Sequence, residues 1–186
     1  MAASSNPIAI GSVAPDFSLP DPAGRLHALR EHAGSAATLV AFICNHCPYV
    51  VHMRDALAQY ARDFAGRGVR VIGINSNDAQ AYPADAPEHM AEWAPLLGFP
   101  YLVDADQAVA RAYDAACTPD LYLYDAALCL YYHGRFDPQR PGGAPADGSD
   151  LRRATEALLA GAAPPDPQWP SVGCSIKWKS AGAATR

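Results

Sequence analysis

Two cysteines close an apolar run: Thr38-Leu39-Val40-Ala41-Phe42-Ile43 leads directly into Cys44-Asn45-His46-Cys47. A Cys-x-x-Cys placed where a buried strand gives way to a helix sets two sulfurs within disulfide reach and aims the positive end of the helix at a thiolate. The thiolate is the species that attacks a disulfide, so the first cysteine has to be exposed and to have a lowered pKa. Cys44 is therefore the candidate nucleophile. Cys47 is the candidate resolving thiol, which displaces the bound substrate from Cys44 and leaves the pair oxidised. His46 between them can hold a thiolate electrostatically.

Pro48 leaves two placements open. A helix capped at Cys44 puts Pro48 at its fourth position, where an intrahelical hydrogen bond is lost. A cap at Cys47 puts it at the first position, where proline fits, and gives Cys47 the helix end. Three further cysteines have two readings or one. Cys117, just before Thr118-Pro119, is either a third thiol near the pair or a small buried core residue. Cys129 lies in a strand and reads as core. Cys174 lies in a flexible-looking tail, where it either serves as an additional resolving thiol or packs. His52 and His133 read as structural, and Trp93, Trp169 and Trp178 as packing residues.

Composition narrows the classes. The 186 residues suit one domain spanning 1–186, with an N-terminal arm over 1–22 and a C-terminal tail over 162–186. Fourteen basic against 19 acidic residues give a net charge of −5 with no Lys/Arg cluster, which argues against nucleic acid and against an anionic membrane as partner. Residues 1–11 carry no basic residue and no signal-length apolar stretch, and no later segment approaches about 18 continuous apolar residues. A cytoplasmic location is expected. An odd number of cysteines without an export signal favours reactive thiols or metal ligation over a disulfide framework. The metal alternative draws its soft ligands from Cys44, Cys47, His46 and His133, but lacks a second well-spaced Cys/His pair.

The elements that must position these groups follow from periodicity. Ser12 to Pro22 is extended, since Pro15, Pro20 and Pro22 exclude a helix. Residues 38–44 read as a strand covered on both faces, 48–66 as a helix closed by Gly66 and Gly68, and 69–74 as a second buried strand. That order implies a right-handed crossover and parallel pairing. A helix over 88–97, a short strand at 101–103 and a helix over 107–115 follow. Strands at 121–124 and 129–133 read as a hairpin adding antiparallel strands to the sheet. Residues 137–148 form a Pro/Gly-rich loop before a helix over 150–160, capped by Ser149 or Asp150. The stretch Asn77 to Trp93 reads as a solvated insertion, with a second reading in which it borders the site. No buried carboxylate is visible in the strand before the motif, which leaves the proton acceptor for Cys47 without a candidate.

With Thr118-Pro119 ahead of a later strand, this order resembles the thioredoxin superfamily. Gly11, Ala14-Pro15-Asp16-Phe17, Leu19 and Gly24, together with Cys47-Pro48, resemble its peroxiredoxin-like AhpC/TSA branch. Within it the chain resembles a subgroup carrying Cys44-Asn45-His46-Cys47-Pro48-Tyr49-Val50, Ile74-Asn75-Ser76-Asn77-Asp78, Cys117-Thr118-Pro119-Asp120 and Gly173-Cys174-Ser175-Ile176-Lys177-Trp178-Lys179. The resemblance implies a thioredoxin-like α/β fold with a central mixed sheet flanked by helices. It also implies a thiol–disulfide oxidoreductase, with an antioxidant or peroxidase-like variant, acting without a cofactor on protein or small-molecule disulfides and served by a thiol reductant. It further implies a cis Thr118–Pro119 bond facing the dithiol, with the preceding backbone pairing to an extended substrate peptide. His46 stands where oxidising members also carry His, so a potential above the roughly −270 mV of a reducing thioredoxin is expected. Peroxiredoxins match Cys47 with their attacking cysteine, but they need a Thr where this chain has Cys44 and an Arg that this sequence does not reveal.

Overall fold

The structure, a computed structural model, describes residues 2–180. Met1 and positions 181–186, the last part of the expected tail, lie outside the described residues. In chain order the elements are β1 (Ala2–Ser4), β2 (Ser18–Pro20), β3 (Leu26–Ala28), β4 (Ala37–Phe42), α1 (Pro48–Ala65), β5 (Val69–Asn75), α2 (Pro87–Leu97), β6 (Tyr101–Val103), α3 (Ala108–Ala112), β7 (Cys117–Thr118), β8 (Asp120–Asp125), β9 (Leu130–His133), α4 (Ser149–Leu159) and β10 (Val172–Ser175).

The uninterrupted apolar character of β4 makes it the middle of the molecule, because every one of its residues is buried. The main sheet runs β6-β5-β4-β8-β9. β4, β5 and β6 are parallel, while β8 pairs antiparallel with both β4 and β9. Alternation along β4 then sorts its side chains to two cores. Leu39 and Ala41 join Leu57, Tyr60 and Phe64 of α1, Met90 and Leu97 of α2 and Leu151 of α4 on one face. Val40 and Phe42 join Ile72, Ile74, Tyr113, Tyr122 and the N-terminal Phe17 and Leu29 on the other. Across the first core the buried Tyr60 hydroxyl meets Thr155 Oγ1 at 2.7 Å, and Thr155 in turn donates to the Leu151 carbonyl. This is the thioredoxin-like α/β fold that the resemblance implies.

Four expectations change in detail. The strand ends at Phe42, so Ile43 and Cys44 lie in the connection rather than in β4. The helix expected over 107–115 is shorter, and Gln107 precedes it with a φ of 63°. The last helix is preceded by Gly148, at a φ of 67°, rather than capped by Ser149 or Asp150. A Cβ at Gly148 would meet the Phe136 ring, and the Asp137 carboxylate takes the Asp147 and Gly148 N–H groups instead. The fourth change is larger: arm and tail are built into the molecule. Val13 bridges to Cys129, β2 and β3 form a hairpin, and β10 is the central strand of a second sheet ordered β1-β10-β7. No helix among the described residues is long and apolar enough to cross a membrane.

Candidate active site

The connection from β4 to α1 delivers both cysteines of the motif to one place. Cys47 has extended backbone dihedrals and precedes the helix, and Pro48 stands at its first position. Of the two placements the sequence allows, the structure has the cap at Cys47, as the missing proline N–H and its fixed φ favour. Cys44 and Cys47 are both fully buried. The Cys44 sulfur lies 3.2 Å from Thr118 Oγ1, and the Cys47 sulfur lies 3.0 Å from the Thr118 carbonyl oxygen. The Thr118–Pro119 peptide bond is cis.

The surroundings favour ionisation of Cys47 over Cys44, the opposite of the direction expected. The Cys47 thiol is pulled down to about 4, first by a hydrogen bond from Cys44. Burial opposes this, while the Cys174 thiol, the Val50 N–H in the first turn of α1 and the Cys174 N–H act in the same direction as Cys44. These donors and the helix end are a common setting for a stabilised thiolate. Cys44 is pushed well above the ordinary thiol range, first by its hydrogen bond to Cys47, then by burial and by the Asp85 charge. The exposed Cys44 with a lowered pKa that the sequence suggests is therefore a buried thiol with a raised one.

Asp85 is the residue that sequence reasoning missed. It is 3% exposed and belongs to the stretch read as a solvated insertion. Its carboxylate accepts the Asn45 N–H at 2.7 Å, His46 Nδ1 at 2.6 Å and Asn77 Nδ2 at 2.8 Å. The hydrogen bond His46 makes thus goes to Asp85 and not to a sulfur. Tyr82 stacks on the His46 ring, with centroids 5.1 Å apart, and the Tyr101 hydroxyl donates to Asn45 Oδ1. The insertion borders the site, the second of the two sequence readings. A usable signal was the run Asn75-Ser76-Asn77-Asp78 at the carboxyl end of a parallel strand, the side on which open α/β sheets build their sites.

The remaining candidates separate. Cys117 is buried next to Thr118, and burial first, then Asp120, Cys47 and Cys174, push its thiol far up. Cys174 is half-buried in β10, directly across the ladder from Thr118, and burial first, then the Cys47 neighbour, raise its thiol to about 11. Cys129 is half-buried and lies where the N-terminal arm bridges to the chain. His133 is committed elsewhere, with Nε2 2.8 Å from Asp120 and its ring stacked on Tyr122. Among possible metal ligands, Cys44, His46 and Asp85 offer atoms within 4.8 Å of one another, a set in which Asp85 replaces the Cys47 and His133 of the sequence reading.

The geometry has close relatives. A hypothetical protein from Sinorhizobium meliloti 1021 is 52% identical, with a TM-score of 0.92 and coverage of 95% of this chain and 98% of that one. An uncharacterized conserved protein from Geobacillus kaustophilus is 47% identical, with a TM-score of 0.93 and coverage of 97% and 98%. The thiol-disulfide oxidoreductase ResA of Geobacillus thermodenitrificans is 27% identical over 121 residues, which are 63% of this chain. The match spans 64% of that relative, just under two thirds of its length. Residues 10–133 match the family model described as the AhpC/TSA family. From the arm through β9, the chain belongs to the AhpC/TSA family.

Proposed function

We propose that the protein is a thiol–disulfide oxidoreductase that cycles Cys44 and Cys47 between dithiol and disulfide, with the roles of the two sulfurs exchanged from the sequence expectation. Cys47 is the attacking thiolate and Cys44 the resolving thiol. The observation that carries this reading is the place of Cys47 at the start of α1, with Pro48 at the first helical position; the donors that lower its pKa act in the same direction. In the reductive direction Cys47 attacks a substrate disulfide, one substrate sulfur leaves, and a mixed disulfide forms. Cys44, freed of the Cys47 charge that suppressed its ionisation, then attacks Cys47 and expels the second substrate sulfur. Thr118 touches both sulfurs and fixes their orientation. Asp85 and His46 lie next to Cys44 and are the candidate acceptors for its proton.

The test is dithiothreitol-driven reduction of oxidised glutathione and of insulin by wild type, Cys44→Ser and Cys47→Ser. Wild type is expected to accelerate at least one of them and Cys47→Ser neither. No acceleration by wild type, or activity that survives Cys47→Ser, sinks the reading. Peroxide consumption that survives Cys44→Ser and is lost in Cys47→Ser would assign the peroxidase variant.

The Cys44, His46 and Asp85 cluster supports a second reading, a divalent metal site. His46 and Asp85 are hydrogen-bonded at 2.6 Å, closer than two ligand atoms about 2 Å from one tetrahedral ion can stand, so binding has to part them. Stoichiometric zinc or copper in the purified protein, with no thiol turnover, would select this reading.

A further inference from the structure

β7 is a strand edge beside the reactive sulfurs, the kind of edge to which an extended polypeptide adds by main-chain pairing. In this protein the chain itself already fills it. Cys174 pairs with Thr118 and Ser175 with Cys117, antiparallel, and β1 closes the far side of β10. The fit is close: a Cβ at Gly173 would overlap the Thr118 carbonyl and press on Pro119. Beyond β10 the tail is tied down. Ile176 N–H reaches the Ala116 carbonyl, Lys177 N–H reaches Asn77 Oδ1 at 2.8 Å, and Gln107 holds the Lys177 carbonyl and the Lys179 N–H. Cys174 thereby stands where a bound peptide would present a cysteine, across from Thr118 and packed against the cluster that holds Cys47. Cys44 and Cys47 are fully buried, whereas Cys174 is half-buried.

We propose that β10 is a resident occupant of the polypeptide edge and that Cys174 is a relay thiol, passing electrons between low-molecular-weight thiols or disulfides in solution and the buried Cys44/Cys47 pair. This rests on the oxidoreductase reading above. Starting from the Cys44–Cys47 disulfide, the Cys174 thiolate attacks the Cys47 sulfur. The Cys47–Cys174 bond forms, the Cys44–Cys47 bond breaks, and Cys44 leaves with the electron pair and takes up a proton. An external thiolate then attacks the Cys174 sulfur and expels the Cys47 thiolate, a good leaving group because its thiol is so acidic. A second external thiol removes the first from Cys174 as a disulfide and returns Cys174 to its thiol. Two external thiols are oxidised and one protein disulfide is reduced. The reverse sequence carries electrons outward to a small disulfide. In the resting dithiol, burial and the Cys47 neighbour hold the Cys174 thiol up at about 11, and the Cys47 part of that penalty disappears whenever Cys47 is in a disulfide. An extended polypeptide, by contrast, meets an edge that is already paired.

Two variants test this. Cys44→Ser is treated with oxidised glutathione and digested without reduction for peptide mass mapping. The expected product is a Cys47–Cys174 disulfide; a persistent glutathione adduct on Cys47 with Cys174 free overturns the proposal. In Cys174→Ser, reduction of the Cys44–Cys47 disulfide by glutathione is expected to slow by at least about tenfold, since the buried pair loses its more accessible, half-buried exchange partner. An unchanged rate overturns it. Gly173→Val keeps the thiol but displaces β10, and the same slowing is expected if Cys174→Ser folds poorly. If wild type exchanges with no disulfide at all, the oxidoreductase reading fails whichever bond is mapped; if wild type turns over and Cys174→Ser matches it, only the relay fails.

Discussion

At the scale of residues, one proton is shared by two sulfurs, and the surroundings decide which sulfur goes without it. Cys47 has two thiols and two N–H groups favouring its charge, against burial and the Thr118 carbonyl; Cys44 has the Thr118 hydroxyl in favour and burial and the Asp85 carboxylate against. Because the leading stabiliser of the Cys47 thiolate is Cys44 itself, Cys44→Ala should raise the Cys47 pKa from about 4. Thiolate absorbance at 240 nm, followed against pH in the reduced protein, measures it. Wild type should lose one thiolate as pH falls through about 4, and Cys44→Ala should lose it at distinctly higher pH. Coincident titrations would show that the helix end, not the neighbouring thiol, sets the charge. The pair itself was legible as Cys-x-x-Cys after an apolar run. Which sulfur ionises was foreshadowed by Pro48 but depends on groups as far along the chain as Cys174, which local spacing does not report.

At the scale of elements, the long apolar runs were readable and the short pairings were not. β4 and β5 are buried along nearly their whole length and announce themselves, whereas β7 has two residues and β10 four. Such strands exist because of their partners, and Gly173 and Cys174 carry no strand signature of their own. The polar stretch after β5 failed for a different reason: polar composition reads as solvated, yet Asp85, Asn75, Ser76 and Asn77 are all buried, each within a hydrogen-bond network. That network makes a prediction about the loop. Asp85→Ala leaves the Asn45 N–H, the Asn77 amide and His46 without their shared acceptor, and should cost about 3 kcal/mol of stability. Urea denaturation of the reduced protein measures this; a loss within about 0.5 kcal/mol, typical of surface changes, would mean that water replaces the carboxylate. The same substitution removes a charge that opposes ionisation of Cys44, so a second thiolate should appear at lower pH than in wild type.

At the scale of the whole molecule, the thiolate couples the redox state of the site to the stability of the fold. In the reduced folded protein Cys47 loses its proton near pH 4, while in the unfolded chain it does so near 9. Between those limits the unfolded state binds one more proton at this position, so stability rises with pH through the window and the gain is lost as pH falls back toward 4. Cys44 works the other way, but only above the ordinary thiol range, because its folded pKa is raised. In the Cys44–Cys47 disulfide neither group titrates. The unfolding free energy of the reduced form should therefore gain on that of the oxidised form between pH 5 and pH 8, by up to about 4 kcal/mol at the full one-proton slope, and its melting temperature should rise accordingly. The comparison cancels every titrating group that the two forms share. A reduced state favoured in this way makes the disulfide a better oxidant, so equilibration with glutathione should place the couple above about −270 mV. The sequence rested that expectation on His46, but His46 is bonded to Asp85, and the stabilisation comes instead from the donors gathered at Cys47. A difference in melting temperature that stays constant with pH would show that Cys47 is protonated in the fold, and the oxidising potential would lose its cause.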